Sequence, residues 1–369
     1  MALQSLRDLQ THQGATFSAP DSPDSPTPNP PLIFGPDSLH RVHQPTGCGL
    51  LDRSHWRVLD LAGADRLRFL HNQSTNAFQG LQPGQGCETV FVTATARTLD
   101  LATAYVLADR VLVLVSPNRG QQLYDWLDRY IFPFDKVQLQ LRDFCCFSLV
   151  GAASDAVLET LGVGDRPSTP HQHHPITLNG CNLSDDLLLA QGSGLGLPGY
   201  TLLMNPADAA SVWQALTQDA PQPALPLGTQ DWETLRIQTG RPQPDQELTE
   251  DYNPLEAGLW QTVSFDKGCY IGQETIARLN TYKGVKQRLW GLRFAGQPEP
   301  GTVLTQGGDR VGKVTSILPT ETGAIGLGYI RTKAGGVGLQ VQAGAILGEV
   351  TEIAYVSHPD TKSVEPETE

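Results

Sequence analysis

The sequence predicts an α+β protein of more than one domain that ends in an all-β module. Three observations carry that expectation. At 369 residues the chain is longer than a single hydrophobic core usually supports. Between residues 56 and 217, apolar runs of strand length alternate with segments whose apolar residues recur at helical spacing. After Trp290 the helical period disappears, and apolar runs at 289–294, 311–317, 324–330 and 350–356 alternate with glycine-rich turns, as in a small barrel or sandwich.

Residues 1–36 contain seven of the 27 prolines, mostly in the run from Pro20 to Pro31, and are expected to form a disordered tail with at most a short helix at 3–9. Globular sequence begins near Phe34. Residues 56–61 read as a strand, and Gly63-Ala64-Asp65 starts a short helix. Strands follow at 90–92, 99–107 and 111–115. Leu123, Trp126, Leu127 and Tyr130 then fall at i, i+3, i+4 and i+7 of a helix. Residues 137–141 alternate, 144–150 form a buried strand, and a helix over 154–161 is closed by Gly162. Residues 164–175 read as a solvated loop, although it contains His171, His173 and His174. Strands at 176–181, 187–190 and 200–204 precede a helix opened by Asn205-Pro206, with Ala209, Val212, Trp213 and Leu216 on its apolar stripe. The β-α-β-β-α-β order over 100–217 indicates ferredoxin-like units.

Composition narrows the function. With 39% hydrophobic and 18% charged residues the chain resembles an ordinary globular protein, and no run approaches 18 apolar residues. The N-terminus shows no apolar signal region, so the cytoplasm is the expected compartment. The six cysteines have no metal or cluster spacing. A net charge of −13 disfavours nonspecific nucleic-acid binding by the whole surface. Residues 267–293 depart from that average: Lys267, Arg278, Lys283, Lys286, Arg288 and Arg293 face only Glu274. An anionic ligand, an RNA or a partner protein fits such a stretch.

The densest chemistry lies in Asp266-Lys267-Gly268-Cys269-Tyr270-Ile271-Gly272-Gln273-Glu274. Two glycines admit close approach of a ligand, and Gln273 stands where a helix would begin. Lys267 beside Cys269 favours the thiolate that a nucleophile or redox thiol needs, yet no histidine base lies nearby in sequence. Tyr270 either stacks on a planar ligand or packs. Asp100, entering an apolar strand, is either a proton acceptor or a carboxylate satisfied by its own turn. Arg236 either grips a ligand carboxylate or forms an internal pair, and Glu256 anchors a loop.

The run from Lys267 to Glu274 resembles the K-G-C-Y-x-G-Q-E signature of the YgfZ family, folate-binding relatives of the glycine-cleavage T-protein. Residues 253–259, Asn-Pro-Leu-Glu-Ala-Gly-Leu, are similar to the T-protein's x-P-x-E-A-G-L segment, and the likeness spans about 37–356. The resemblance implies a three-lobed architecture: a folate-binding α+β domain from 37–100 plus 226–285, a ferredoxin-like domain over 101–225, and a β-barrel over 286–358, with 359–369 frayed. It implies tetrahydrofolate or a one-carbon derivative as cofactor. It also implies iron–sulfur client or assembly proteins as partners, with an indirect link to tRNA modification. Cys269 and Asp100 would then be catalytic, and Lys267, Tyr270, Gln273, Arg236 and Glu256 would contact the cofactor. Where the T-protein reads G-E-D-G-x-E-I, this chain reads Gly196-Leu197-Pro198-Gly199-Tyr200-Thr201-Leu202 and lacks both acids. Aminomethyl transfer to tetrahydrofolate is therefore the alternative reading, and an RNA- or partner-binding scaffold a further one.

Overall fold

The computed structural model describes residues 3–18, 29–35, 38–184 and 186–358. They fall into two compact units. The first takes the described residues up to Gln73, then Ala77–Thr89 and Ala102–Leu235; the second takes Ser74–Asn76, Val90–Leu101 and the described residues from Arg236 onward. The expected α+β class and the closed C-terminal barrel are both present.

The first unit contains a six-stranded sheet ordered His173–Ile176, Leu187–Gln191, Gly199–Met204, Cys145–Val150, Gly49–Asp52 and Leu225–Leu227. Its pairings are antiparallel except the last, where Leu225 to Leu227 run parallel to Gly49 to Leu51. The Ser154–Thr160 and Ala209–Gln214 helices bury Val157, Leu158, Val212 and Trp213 against one face. A five-stranded sheet follows the order Gly86–Val92, Thr98–Val106, Arg110–Val115, Arg57–Ala62 and Gln138–Arg142. The Gly120–Asp128 helix buries the predicted Leu123 and Leu127, while the rings of Trp126 and Tyr130 meet near its surface at 5.0 Å, tilted by 57°.

Two local expectations are corrected. Described residues inside the proposed tail are ordered: the Gln4–His12 helix buries Leu6 completely, and Arg7 forms an ion pair with buried Asp52. Gln13 accepts the Trp213 indole N–H at 2.7 Å, and Phe34 stacks on the same ring. The short helix expected at 3–9 is present, but the proline content averaged over 36 residues gave no sign that its Leu3, Leu6 and Leu9 pack into a neighbouring core. The proline run from Pro20 to Thr27 lies outside the described residues, as does the C-terminal segment expected to fray after His358. The histidine loop is the second correction. His173–Ile176 form an edge strand, and His173 is buried with its ring nitrogens 3.1 Å from the His171 carbonyl and 3.0 Å from that of Val106. Strand pairing supplied what the polar sequence did not signal.

In the second unit, the barrel closes in the order Gln287–Phe294, Gly323–Arg331, Asp309–Thr320, Val303–Gln306, Gln340–Ala343 and Ile346–Thr351. Trp290, Leu292, Phe294, Leu304, Val314 and Val350 fill its interior. A second core joins Val90, Val92, Leu101, Ile237, Leu248, Leu259, Leu289 and Tyr329. Within it Tyr252 and Tyr329 lie nearly parallel with ring centroids 3.5 Å apart. Among the described residues no helix is long and apolar enough to cross a membrane.

Candidate functional site

The loop carrying Cys269 is built on a clamp and a cap. Lys267 donates from Nζ to the carbonyl oxygens of Ser74 and Asn76 at 2.6 and 2.7 Å, and its ammonium sits 4.3 Å from the Tyr270 ring centroid. Charge-assisted bonds of this kind contribute about 1.5–3 kcal/mol each. Tyr270 is packed with Ala96, Leu255, Val263, Ile276 and Val285, and burial pushes its phenol up to about 12. Tyr270 thus takes the packing alternative, and Lys267 holds the loop to the 74–76 segment.

The Gln273–Thr281 helix begins where the sequence placed it, with Gly272 as N-cap at φ +81°. A side chain there would enter a left-handed conformation, and its Cβ would stand 3.0 Å from both the Thr93 carbonyl and Val92 Cγ2. Gln273 closes the turn twice, donating its backbone N–H to the Tyr270 carbonyl at 3.1 Å and Nε2 to the Lys267 carbonyl at 3.4 Å. Cys269 lies between these fixed points and is exposed. The arrangement presents a thiol to solvent on a loop whose flanks are pinned. By contrast Cys48 and Cys146 are buried, and burial pushes both thiols up to about 11.

Arg236 belongs to a separate network. On the Thr229–Thr239 helix it is fully buried and pairs with fully buried Glu247 at 3.2 Å. Its other terminal nitrogen donates to the Gln246 side chain and, at 2.9 Å, to Ser316 Oγ. Glu247 also accepts from Thr315 at 2.7 Å, Ser316 at 2.6 Å and the Gln243 backbone at 3.2 Å. The internal-pair alternative for Arg236 is therefore the one realised. Sequence reading missed Glu247, Gln246 and Ser316; they lie 10 to 80 residues from Arg236 and follow no period.

Asp100 lies in the Thr98–Val106 strand, fully buried, on the opposite face from Leu101. Its strand is registered on the 249–252 loop: Thr98 donates its backbone N–H to the Tyr252 carbonyl at 3.0 Å and Oγ1 to the Thr249 carbonyl at 2.8 Å. That loop leads to a reciprocal cap. Asn253 Oδ1 accepts from the backbone of Leu255 and Glu256 at 3.0 Å, and Glu256 Oε2 accepts from the Asn253 backbone at 3.2 Å. Glu256 therefore anchors its loop as expected. Burial raises its carboxyl above the usual range, while the Asn253 N–H, Arg97, Gln287 and Lys286 pull it back. The site residues form a clamped loop at 267–273, a buried ion pair at 236 and 247, and two buried carboxylates at 100 and 256.

The fold and this arrangement place the chain in the class of aminomethyltransferase-type folds. Glycine cleavage system aminomethyltransferase T from Bartonella henselae superposes with a TM-score of 0.81 over 95% of this chain and 97% of its own, at 21% identity. The chain belongs to the family defined by the GCVT N-terminal domain, which matches residues 40–267. A chloroplastic protein of Arabidopsis thaliana, provisionally named a transferase, is 43% identical over 85% of this chain and 73% of its own length. An aminomethyltransferase of Halothermothrix orenii is 28% identical over 84% of this chain and 88% of its own.

Proposed function

We propose that this protein binds tetrahydrofolate, or a one-carbon derivative of it, and serves as an accessory factor in the assembly or repair of iron–sulfur clusters in client enzymes, including enzymes that modify tRNA. The observation that carries the reading is Cys269, an exposed thiol on a loop pinned through Lys267, Tyr270 and Gln273 in a chain of this family. We retain the three-lobed division, with 37–100 plus 226–285 as the folate-binding part, and a cytoplasmic location. Fractionation that finds the protein in a plastid, the compartment in the Arabidopsis relative's name, would replace that location.

The buried carboxylates suit the cofactor. Asp100 and Glu256 are both buried, and their carboxyl oxygens can accept hydrogen bonds from a pterin or a one-carbon amine; burial raises the Glu256 carboxyl above the usual range. Arg236 acts at one remove: its donors are engaged by Glu247, Gln246 and Ser316, and it supports the site by fixing the 246–247 segment. Bound tetrahydrofolate would supply one-carbon chemistry, while Cys269 would supply a thiol at the surface where a client protein can reach it.

Aminomethyl transfer is the second reading, favoured by the names of the 28%-identical relatives. Leu197, where the T-protein motif carries an acid, packs against the apolar core of the first unit and opposes it. Calorimetric titration with tetrahydrofolate tests both readings, and no binding would remove both. In cells lacking the native protein, Cys269→Ala is expected to leave folate binding intact and abolish support of cluster-dependent enzymes. Full support without the thiol would overturn the accessory role. Release of methylenetetrahydrofolate from an aminomethylated carrier would move the assignment to the transferase.

A further inference from the structure

The second unit contains a cavity of about 690 Å³ that Cys269 does not line. Its walls carry five cations, Arg97, Lys283, Lys286, Arg331 and Lys333, against two carboxylates, Asp251 and Glu256. A local excess of three positive charges thus surrounds one concavity in a chain whose net charge is −13. The volume lies within the roughly 300–1,000 Å³ typical of small-molecule sites. Asp251 and Glu256 offset part of the mutual repulsion among these cations, and a bound anion offsets the remaining excess.

The walls are tied together. Thr332 donates its backbone N–H to the Lys286 carbonyl at 2.9 Å and Oγ1 to the Val285 carbonyl at 2.8 Å, joining the 283–287 and 331–333 walls. Arg97 Nη1 donates to the Asp251 carbonyl at 2.9 Å and fixes a third. Lys283 sits in the left-handed region at φ +49°, a conformation that costs a non-glycine residue about 1 kcal/mol. At the end of the Gln273–Thr281 helix, Tyr282 and Gly284 donate their N–H groups to the Arg278 and Leu279 carbonyls. The capped carbonyls blunt the negative end of the helix, which would otherwise repel an anion.

We propose that this cavity binds a compact oligophosphate group, carried by a free polyphosphate, a nucleotide or an RNA strand. Phosphate fits better than carboxylate. Each phosphate brings up to two charges and three acceptor oxygens, so two or three neighbouring groups match the local excess within the available volume, and lysine points and arginine forks both serve such oxygens. Cys269 does not line the cavity, and Glu256 is the one wall residue shared with the proposed folate contacts.

Titration of the full-length protein with inorganic tripolyphosphate, a nucleoside triphosphate, a single-stranded RNA and oligoglutamate, at low and moderate salt, tests the proposal. The phosphate probes are expected to bind, less tightly as salt rises. Lys283→Gly is expected to weaken that binding about tenfold while raising thermal stability, since glycine removes the charge and relaxes the left-handed backbone. A folding defect therefore cannot explain its loss. Lys333→Glu should weaken binding similarly, and Arg293→Glu, within the basic stretch but outside the cavity, should leave it unchanged. Equal affinity for tripolyphosphate and the triphosphate would identify the phosphate group itself as the ligand, and tighter binding of RNA would identify the strand. Failure of every phosphate probe to bind, equal binding in Lys283→Gly, or oligoglutamate binding as tightly would overturn the assignment.

Discussion

Replacing Glu247 with leucine removes the carboxylate opposite Arg236 and leaves a guanidinium with no exposed surface to escape to. Both side chains of the pair are fully buried, so water screens neither, and breaking such a pair from one side costs about 3–5 kcal/mol. The hydroxyls of Thr315 and Ser316 lose an acceptor in the same step, and that loss is part of the same total. At about 2–4 °C per kcal/mol for a unit of this size, the melting temperature should fall by roughly 6–20 °C. Chemical denaturation followed by tryptophan fluorescence reads the change directly. Arg236→Met combined with Glu247→Leu should recover most of the loss, because an apolar pair of similar volume removes the charge and the need for a partner together. A loss below about 1 kcal/mol for Glu247→Leu, accompanied by a drop in folate affinity, would refute the reasoning. It would mean that Arg236 is held for a ligand and that Glu247 merely orients it.

Two further outcomes follow from the same geometry. Lys267→Met should cost about 2 kcal/mol by stranding the Ser74 and Asn76 carbonyls, and should raise amide exchange across 267–273; unchanged exchange would show that the clamp does not hold the loop. Burial lowers His358 from 6.5 to about 4, with Nε2 donating to the Leu289 carbonyl at 2.8 Å and the ring 4.3 Å from that of Trp290. Between pH 6.5 and about 4 the unfolded chain therefore binds the proton that the folded chain excludes, and stability falls as pH drops through that window. The total loss is about 3 kcal/mol, and His358→Phe should flatten that part of the profile in denaturation curves at pH 7 and pH 4.5. A variant with the wild-type slope would contradict it.

Much of the fold was legible because local pattern and tertiary role agree. Leu123 and Leu127 at helical spacing are buried in the Gly120–Asp128 helix, and the apolar run at 324–330 lies within the Gly323–Arg331 barrel strand. The short barrel strands Val303–Gln306 and Gln340–Ala343 were not legible, since each is four residues long, only half apolar and defined by its neighbours' hydrogen bonds. His173–Ile176 is a strand for the same reason.

At the candidate site, sequence by itself determined which residues share the 266–274 loop and where its helix starts. Gly272 supplies a backbone conformation that few residues accept, and the apolar Ile276 and Leu279 direct the helix that follows. Only the tertiary structure decided what the polar atoms face. Lys267 reaches carbonyls more than 190 residues away, Arg236 meets Ser316 across 80, and the cations of the phosphate cavity come from segments near 97, 283 and 331. A hydrogen bond or an ion pair is short in space and indifferent to distance along the chain, whereas hydrophobic periodicity is local. The period could therefore be read in advance, and the partners appear only once the chain has closed on itself.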